Sequence, residues 1–232
     1  MNSPIVVFDL DGTLVDTAPD LVATLNHVFE REGLPPVDYE SARNMVGGGA
    51  RLMIERGLRS DGRTLPPAEI DQLVHDFVAH YADHIADRSR PFPGVEATLD
   101  QLAGAGFRLA VCTNKLEWLS KRLLDALALT ARFGAICGAD TFGTPKPNPA
   151  ILRGTIERAG GSRQHAVMVG DSVTDIATAR AAAIPVIAVD FGYTDTPVAE
   201  LNPDHVVSAF AQLPLVIGEL LGRSSGQFAQ NR

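Results

Sequence analysis

The chain has 232 residues, 45% of them hydrophobic and 21% charged, and it can bury a core without a disulfide or structural metal. A formal charge of −8 and a pI near 5.2 argue against general affinity for nucleic acid or anionic membrane, both of which need a basic surface. No segment reaches the roughly 18 apolar residues of a membrane span, and the two cysteines, Cys112 and Cys137, sit in apolar stretches, either as small hydrophobes of a reducing compartment or, alternatively, as a disulfide pair.

The opening MNSPIVVFDL has no basic region before its short apolar run, so a buried strand is expected rather than a signal peptide, with a cytoplasmic location. Ile5 to Phe8 is continuous, β-branched and apolar, the pattern of a strand covered on both faces. From Thr17 to Arg88 the pattern is helical only. It predicts helices over Asp20–Arg31, Tyr39–Met45, Arg51–Leu58 and Ala68–Ala86, divided by Gly33 with Pro35-Pro36 and by Gly47-Gly48-Gly49. Beyond the stiff Pro91-Phe92-Pro93-Gly94 segment, strands are expected at Phe107–Cys112, Ala166–Val169 and Pro185–Val189, with a weaker one at His205–Val207. Helical stretches separate them at Gly94–Ala103, Leu116–Leu127, Pro149–Ala159 and Thr174–Ala183, and the tail from Gly222 is expected to fray. Strands alternating with helices give an α/β fold: a Rossmann-like, doubly wound parallel sheet of residues 1–16 and 89–232, with an all-α domain of residues 17–88 inserted.

In such sheets chemistry gathers at the carboxyl ends of strands. Phe8-Asp9-Leu10-Asp11-Gly12-Thr13 places two acids there, and Gly12 permits a curl that turns both toward one pocket. Thr113-Asn114 ends the second strong strand as a phosphate seat or as the cap of the next helix. Lys146, one of three lysines, is fixed between Pro145 and Pro147; it is either a point contact for phosphate or a solvated loop residue. Asp171 and Asp175 end the third strand, where Ser172 or Thr174 can also cap a helix. Acids from two strand ends repel unless a cation or Lys146 neutralises them; a dication is the simplest resolution, and hard oxygen ligands favour Mg2+.

Four motifs in order, DLDGTLVD at 9–16, CTN at 112–114, PKPNP at 145–149 and GDSVTD at 170–175, give nearly the whole chain a resemblance to the haloacid dehalogenase superfamily, specifically its phosphatases with a helical cap. Asn114-Lys115, Val46-Gly47-Gly48-Gly49 and Phe191-Gly192-Tyr193 make it most similar to the phosphoglycolate phosphatase branch. The resemblance implies that Asp9 attacks phosphorus and that Asp11 protonates the leaving oxygen and then activates water. It implies Mg2+ on the Asp9 and Asp171 carboxylates and the Asp11 carbonyl, with Thr113, Asn114 and Lys146 on the phosphoryl oxygens and Asp175 supporting Lys146 or a metal-bound water. Leu116, Asn148 and Ala183 depart from the branch, where proline, histidine and glycine are frequent. The substrate expected is a small phosphorylated metabolite, 2-phosphoglycolate above others, with its carboxylate held by Gly47, Gly48, Gly49 and Arg51; alternatively those glycines only end one helix and begin the next. A monomer or homodimer is expected. A phosphatase for another metabolite, a sugar-phosphate mutase on the same core and a non-catalytic binding module are the competing readings; a dehalogenase has no use for an acid at Asp11.

Overall fold

The computed structural model describes residues 3–222. In chain order it contains β1 (Ser3–Phe8), β2 (Val15–Asp16), α1 (Ala18–Arg31), α2 (Tyr39–Arg43), α3 (Ala50–Ser60), α4 (Pro67–Asp83), β3 (Arg90–Pro91), α5 (Val95–Gly104), β4 (Arg108–Cys112) and α6 (Glu117–Ala126). There follow β5 (Ala135–Cys137), α7 (Pro149–Arg158), β6 (Gly161–Gly170), α8 (Val173–Ala182), β7 (Val186–Val189), β8 (His205–Val207) and α9 (Leu213–Leu220). The tail expected to fray lies, beyond Gly222, outside the described residues.

Six strands form one parallel sheet in the order β5-β4-β1-β6-β7-β8. Burial on both faces follows the two-residue period of a strand. Val6, Phe8, Val111, Val167 and Val169 join one apolar cluster; Ile5, Val7, Ala110, Ala166 and Met168 join the other. The chain leaves β1 for β4 and β5 on one side and returns to β6 on the other, so the sheet reverses direction at β1. A crevice opens at the carboxyl ends where strand order reverses. Asp9 is the residue after β1.

The helices between β2 and β3 pack through the first of these clusters. In α1, Leu21, Leu25, Val28 and Phe29 recur at helical spacing and are buried. In α4, Leu73, Phe77 and Tyr81 recur every four residues, which turns the Tyr81 ring toward the end of the sheet. Gly57 of α3 lies against the Phe29 ring; a Cβ there would come within 3.0 Å of it. The first cluster therefore runs without a break from the sheet face into these four helices.

The two crossings between sheet and helices are tied to each other. β2 and β3 pair antiparallel, Val15 with Pro91 and Asp16 with Arg90, and Phe92 N donates to Leu14 O at 3.1 Å. Just inside, the buried Asp20 carboxylate accepts from Arg88 N, from Ser89 N at 2.8 Å and from Ser89 Oγ at 2.7 Å.

Three details differ from the sequence reading. The sheet gains β5, whose three residues are too few to show a period. β6 begins at Gly161 because Ser3 pairs with it, although Ser162 to His165 carry no apolar signature. Helix α2 stops at Arg43 and α4 at Asp83, short of Met45 and Ala86.

Candidate active site

Beyond β1 the chain curls tightly. Gly12 N donates to Val15 O at 3.0 Å, and Leu14 N and Val15 N both donate to Leu10 O at 3.0 Å. Gly12 has φ +82°, and a Cβ on it would lie 2.4 Å from Asp171 Oδ2, so both backbone and space demand glycine. The curl turns Asp9 and Asp11 into one cavity of about 230 Å3. Thr113, Asn114 and Lys115 line it after β4; Gly47, Gly48, Gly49 and Arg51 line it from the turn into α3. Phe77 and Tyr81 of α4 supply apolar wall.

Lys146, Asp171 and Asp175 join the cavity through Asp9 rather than lining it. The Lys146 Nζ lies 2.8 Å from Asp9 Oδ1 and 2.6 Å from Asp175 Oδ1, and all three side chains are buried. Asp175 is otherwise engaged: its Oδ2 accepts from Ser172 N at 3.1 Å, from Ser172 Oγ at 2.6 Å and from Asp171 N. Ser172 and Asp175 thereby form a reciprocal cap on α8, so the capping and ion-pair readings of this acid hold together. Asp171 is held by Thr13 Oγ1 on Oδ1 and Tyr193 N on Oδ2, both at 2.8 Å, and a Cβ on Gly192 would lie 2.2 Å from Asp171 Cβ.

Three buried carboxylates, Asp9, Asp171 and Asp175, have oxygens within 4.8 Å of one another, against the single ammonium of Lys146. Burial first, and then the charge on Asp175, push Asp9 up to about 7 despite the opposing pull of Lys146. Burial and the charges of Asp175 and Asp9 likewise hold Asp171 well above the usual carboxylate range. Burial alone would lower Lys146, but Asp175 and Asp9 outweigh it and raise it. Asp9 Oδ1 has Lys146 Nζ, at 2.8 Å, as its side-chain partner. Three buried carboxylates of hard oxygen ligands against one ammonium leave an excess of negative charge that fits a divalent cation. Asp175, whose Oδ1 takes Lys146 and whose Oδ2 takes three protein donors, is the most heavily engaged of the three; Asp171 has one donor on each oxygen.

Neither Thr113 nor Asn114 caps the next helix. Helix α6 starts at Glu117, whose N–H is taken by Asp140 Oδ1 at 2.8 Å. The Asn114 side chain instead clamps the lysine loop, accepting from Lys146 N at 2.9 Å and donating to Lys146 O at 3.3 Å and Gly47 O at 3.4 Å. Thr113 Oγ1 accepts from Lys115 N at 3.2 Å. Asn148 caps α7 by accepting from Ala150 N. Gly49, with φ +88°, caps α3, and a Cβ on it would lie 3.4 Å from Asn114 O; the glycine turn thus divides two helices and also touches the sheet end. Arg51 borders the cavity, but its guanidinium is engaged by Asp71 and Glu55 and its side chain is 47% exposed.

The contacts of four partners escape sequence reading, although Lys115 and Tyr193 stand in segments that mark the branch. Thr17 Oγ1 donates to Asp11 Oδ1 at 2.7 Å, and Lys115 Nζ lies 3.1 Å from the same oxygen. Tyr81 Oη is 3.2 Å from Lys115 Nζ. Tyr193 Oη donates to Asp16 and accepts from Ala18 N at 3.1 Å. Lys115 did carry a signal, since the scarcity of lysine that singles out Lys146 applies to it equally.

Comparison with known proteins follows the same lines. The chain is 51% identical to the phosphoglycolate phosphatase of Agrobacterium fabrum, over 94% of each chain. It is 51% identical to that of Mesorhizobium japonicum, over 97% of this chain and all of the relative. The crystal structure of a predicted phosphoglycolate phosphatase from Haemophilus somnus 129pt superimposes with a TM-score of 0.86 at 28% identity, covering 93% of this chain and 98% of that one. Among the described residues no helix is long and apolar enough to cross a membrane. With residues 6–189 matching its family pattern and a parallel sheet that brings the acids after β1 and β6 together, the chain belongs to the haloacid dehalogenase-like hydrolases.

Proposed function

We propose that this chain, a phosphoric monoester hydrolase of the phosphoglycolate phosphatase kind, converts 2-phosphoglycolate to glycolate and phosphate with Mg2+ through a phosphorylated Asp9. The observation that carries the reading is the buried group of Asp9, Lys146, Asp171 and Asp175 opening, through Asp9, into a cavity that also holds Asp11. Names borne by relatives at 51% identity support the substrate, and a cavity of about 230 Å3 suits a small ester.

In this reading an Asp9 oxygen attacks phosphorus while the bond from phosphorus to the glycolate oxygen breaks. Asp11, steadied by Thr17 and Lys115, gives that oxygen its proton. Asp11 then takes a proton from a water that attacks phosphorus, which releases phosphate and frees Asp9. Thr113, the Asn114 backbone and Lys146 bind the phosphoryl oxygens, and Asp175 keeps Lys146 beside Asp9. The carboxylates of Asp9 and Asp171 and the Asp11 carbonyl would hold Mg2+, whose charge offsets that on the phosphoryl group. The helices between β2 and β3, residues 17–88, act as a cap that excludes water, and the Gly47–Gly49 turn bounds the leaving-group end.

Phosphate release from 2-phosphoglycolate and a panel of small phosphomonoesters, with Mg2+ and with chelator, tests the reading. Asp9→Asn is expected to lower kcat by more than about a thousandfold. Substantial turnover by that variant removes Asp9 as nucleophile.

A further inference from the structure

Resting on that reading, we propose that Lys115 selects the substrate: its ammonium grips the carboxylate of the leaving group, beside the oxygen that Asp11 protonates. Among the described residues, two cationic side chains line the cavity, Lys115 and Arg51. Arg51 is half exposed and already engaged by Asp71 and Glu55. Lys115 is 8% exposed and sits inside. Its Nζ is 3.1 Å from Asp11 Oδ1 and 3.2 Å from Tyr81 Oη, and lies 4.4 Å from the centre of the Tyr81 ring. An ammonium has three N–H donors. Asp11 and Tyr81 fix its position and leave capacity for one further acceptor.

Reach decides which acceptor. In an ester of a 2-hydroxy carboxylate, one carbon separates the leaving oxygen from the carboxylate, so their oxygens lie about 3 Å apart by ordinary bond geometry. A cation 3.1 Å from the acid that protonates the first oxygen is therefore within reach of the second when the ester lies with its carboxylate on the Lys115 side. The surrounding wall is apolar, with Leu21, Val46, Met53, Phe77 and Leu119. A carboxylate pressed against it without a partner loses its water for nothing, whereas one beside Lys115 forms a charge pair shielded from solvent. The same lysine disfavours leaving groups that present only carbon, because its own donor is then left unused.

The simpler reading is that Lys115 merely props up Asp11 and Tyr81. The two readings part on a matched pair of esters, 2-phosphoglycolate and ethyl phosphate, which share the leaving oxygen and its CH2 and differ in the carboxylate. With the Mg2+-loaded full chain, wild type is expected to prefer 2-phosphoglycolate, and Lys115→Met to shrink the ratio of the two kcat/KM values by at least about thirtyfold, chiefly through KM for 2-phosphoglycolate. Lys115→Gln, which keeps a donor for Tyr81 and removes the charge, serves if the methionine variant does not fold and is expected to shrink the ratio likewise. Lys115→Arg is expected to retain more of the preference than either. Equal proportional losses on both esters, carried by kcat, overturn the assignment in favour of a prop for Asp11. A wild type that hydrolyses both esters equally well overturns it while leaving the phosphatase reading intact. A wild type that releases phosphate from neither overturns the proposed function, and this assignment with it.

Discussion

Asp9 and Asp171 are held where ionisation is costly, and that cost sets how the protein responds to pH and metal. Asp9 ionises near 7 in the folded chain, above its ordinary 3.8, because burial and Asp175 outweigh Lys146. The unfolded chain therefore releases its proton first as pH rises. The sign follows: this group's contribution to stability is full below pH 3.8 and declines as pH rises through about 7, a loss on the order of 4 kcal/mol. A dication bound by the ionised form relieves the loss, and below about pH 7 it must displace the proton. Mg2+ is thus expected to raise the unfolding temperature more at pH 8 than at pH 5, and an increment that does not change with pH refutes the coupling. The acids, Thr113, Asn114 and Lys146 were legible in the sequence because each stands where a strand or a fixed loop ends. Tyr81 and Thr17 were not, because their roles come from side-chain reach: Tyr81 meets Lys115 34 positions away, and Thr17 looks like an ordinary helix start until its hydroxyl is seen on Asp11.

The end of α8 bears on stability at the level of the element. Ala183 follows its last residue with φ 59° and ψ 43°, the left-handed conformation that glycine adopts without penalty and alanine does not. It is also the position at which the resemblance to the branch leads to an expectation of glycine. Ala183→Gly is expected to stabilise the protein by about 1 kcal/mol, read as a higher urea midpoint with an unchanged slope; relief of the left-handed strain exceeds the added freedom of the unfolded chain. A lower midpoint would show that alanine's Cβ contacts outweigh the strain. Elements themselves were readable in proportion to their length and apolarity. Ile5–Phe8 and Ala166–Val169 announce buried strands, whereas Ala135–Cys137, closed in by Gly134 and Gly138, is recognisable only once β4 lies beside it, Cys112 opposite Cys137. The end of α4 was overrun because Ile85 and Ala86 continue an apolar pattern after the backbone has turned at His84.

Across the whole molecule, the Phe191–Tyr193 segment after β7 joins the sheet to the helices between β2 and β3. Arg43 of α2 donates to the carbonyls of Phe191 and Gly192 and lies 5.0 Å over the Tyr193 ring, while the Tyr193 hydroxyl reaches Asp16 and Ala18. Tyr193 N in turn holds Asp171, so one segment touches both the acidic cluster and the helices. The sequence showed that a helical stretch interrupts the α/β alternation; it could not show these contacts, which join residues as many as 177 positions apart.

Because Asp16 and Arg90 face each other and Asp20 closes on Ser89, the stretch from 17 to 88 begins and ends at nearly one point. To the remaining chain it is therefore a stretch whose two ends adjoin, so that replacing it by a segment with the same end spacing and a matching apolar face would not stretch the sheet. A chimera bearing the corresponding segment of a distant relative is expected to keep Mg2+-dependent turnover of an activated aryl phosphate while its choice among natural esters changes. Loss of both in a chimera that remains folded would mean that chemistry and recognition are not separable in this way. A change of that segment would then alter recognition through two adjoining junctions and leave the acids after β1 and β6 in place.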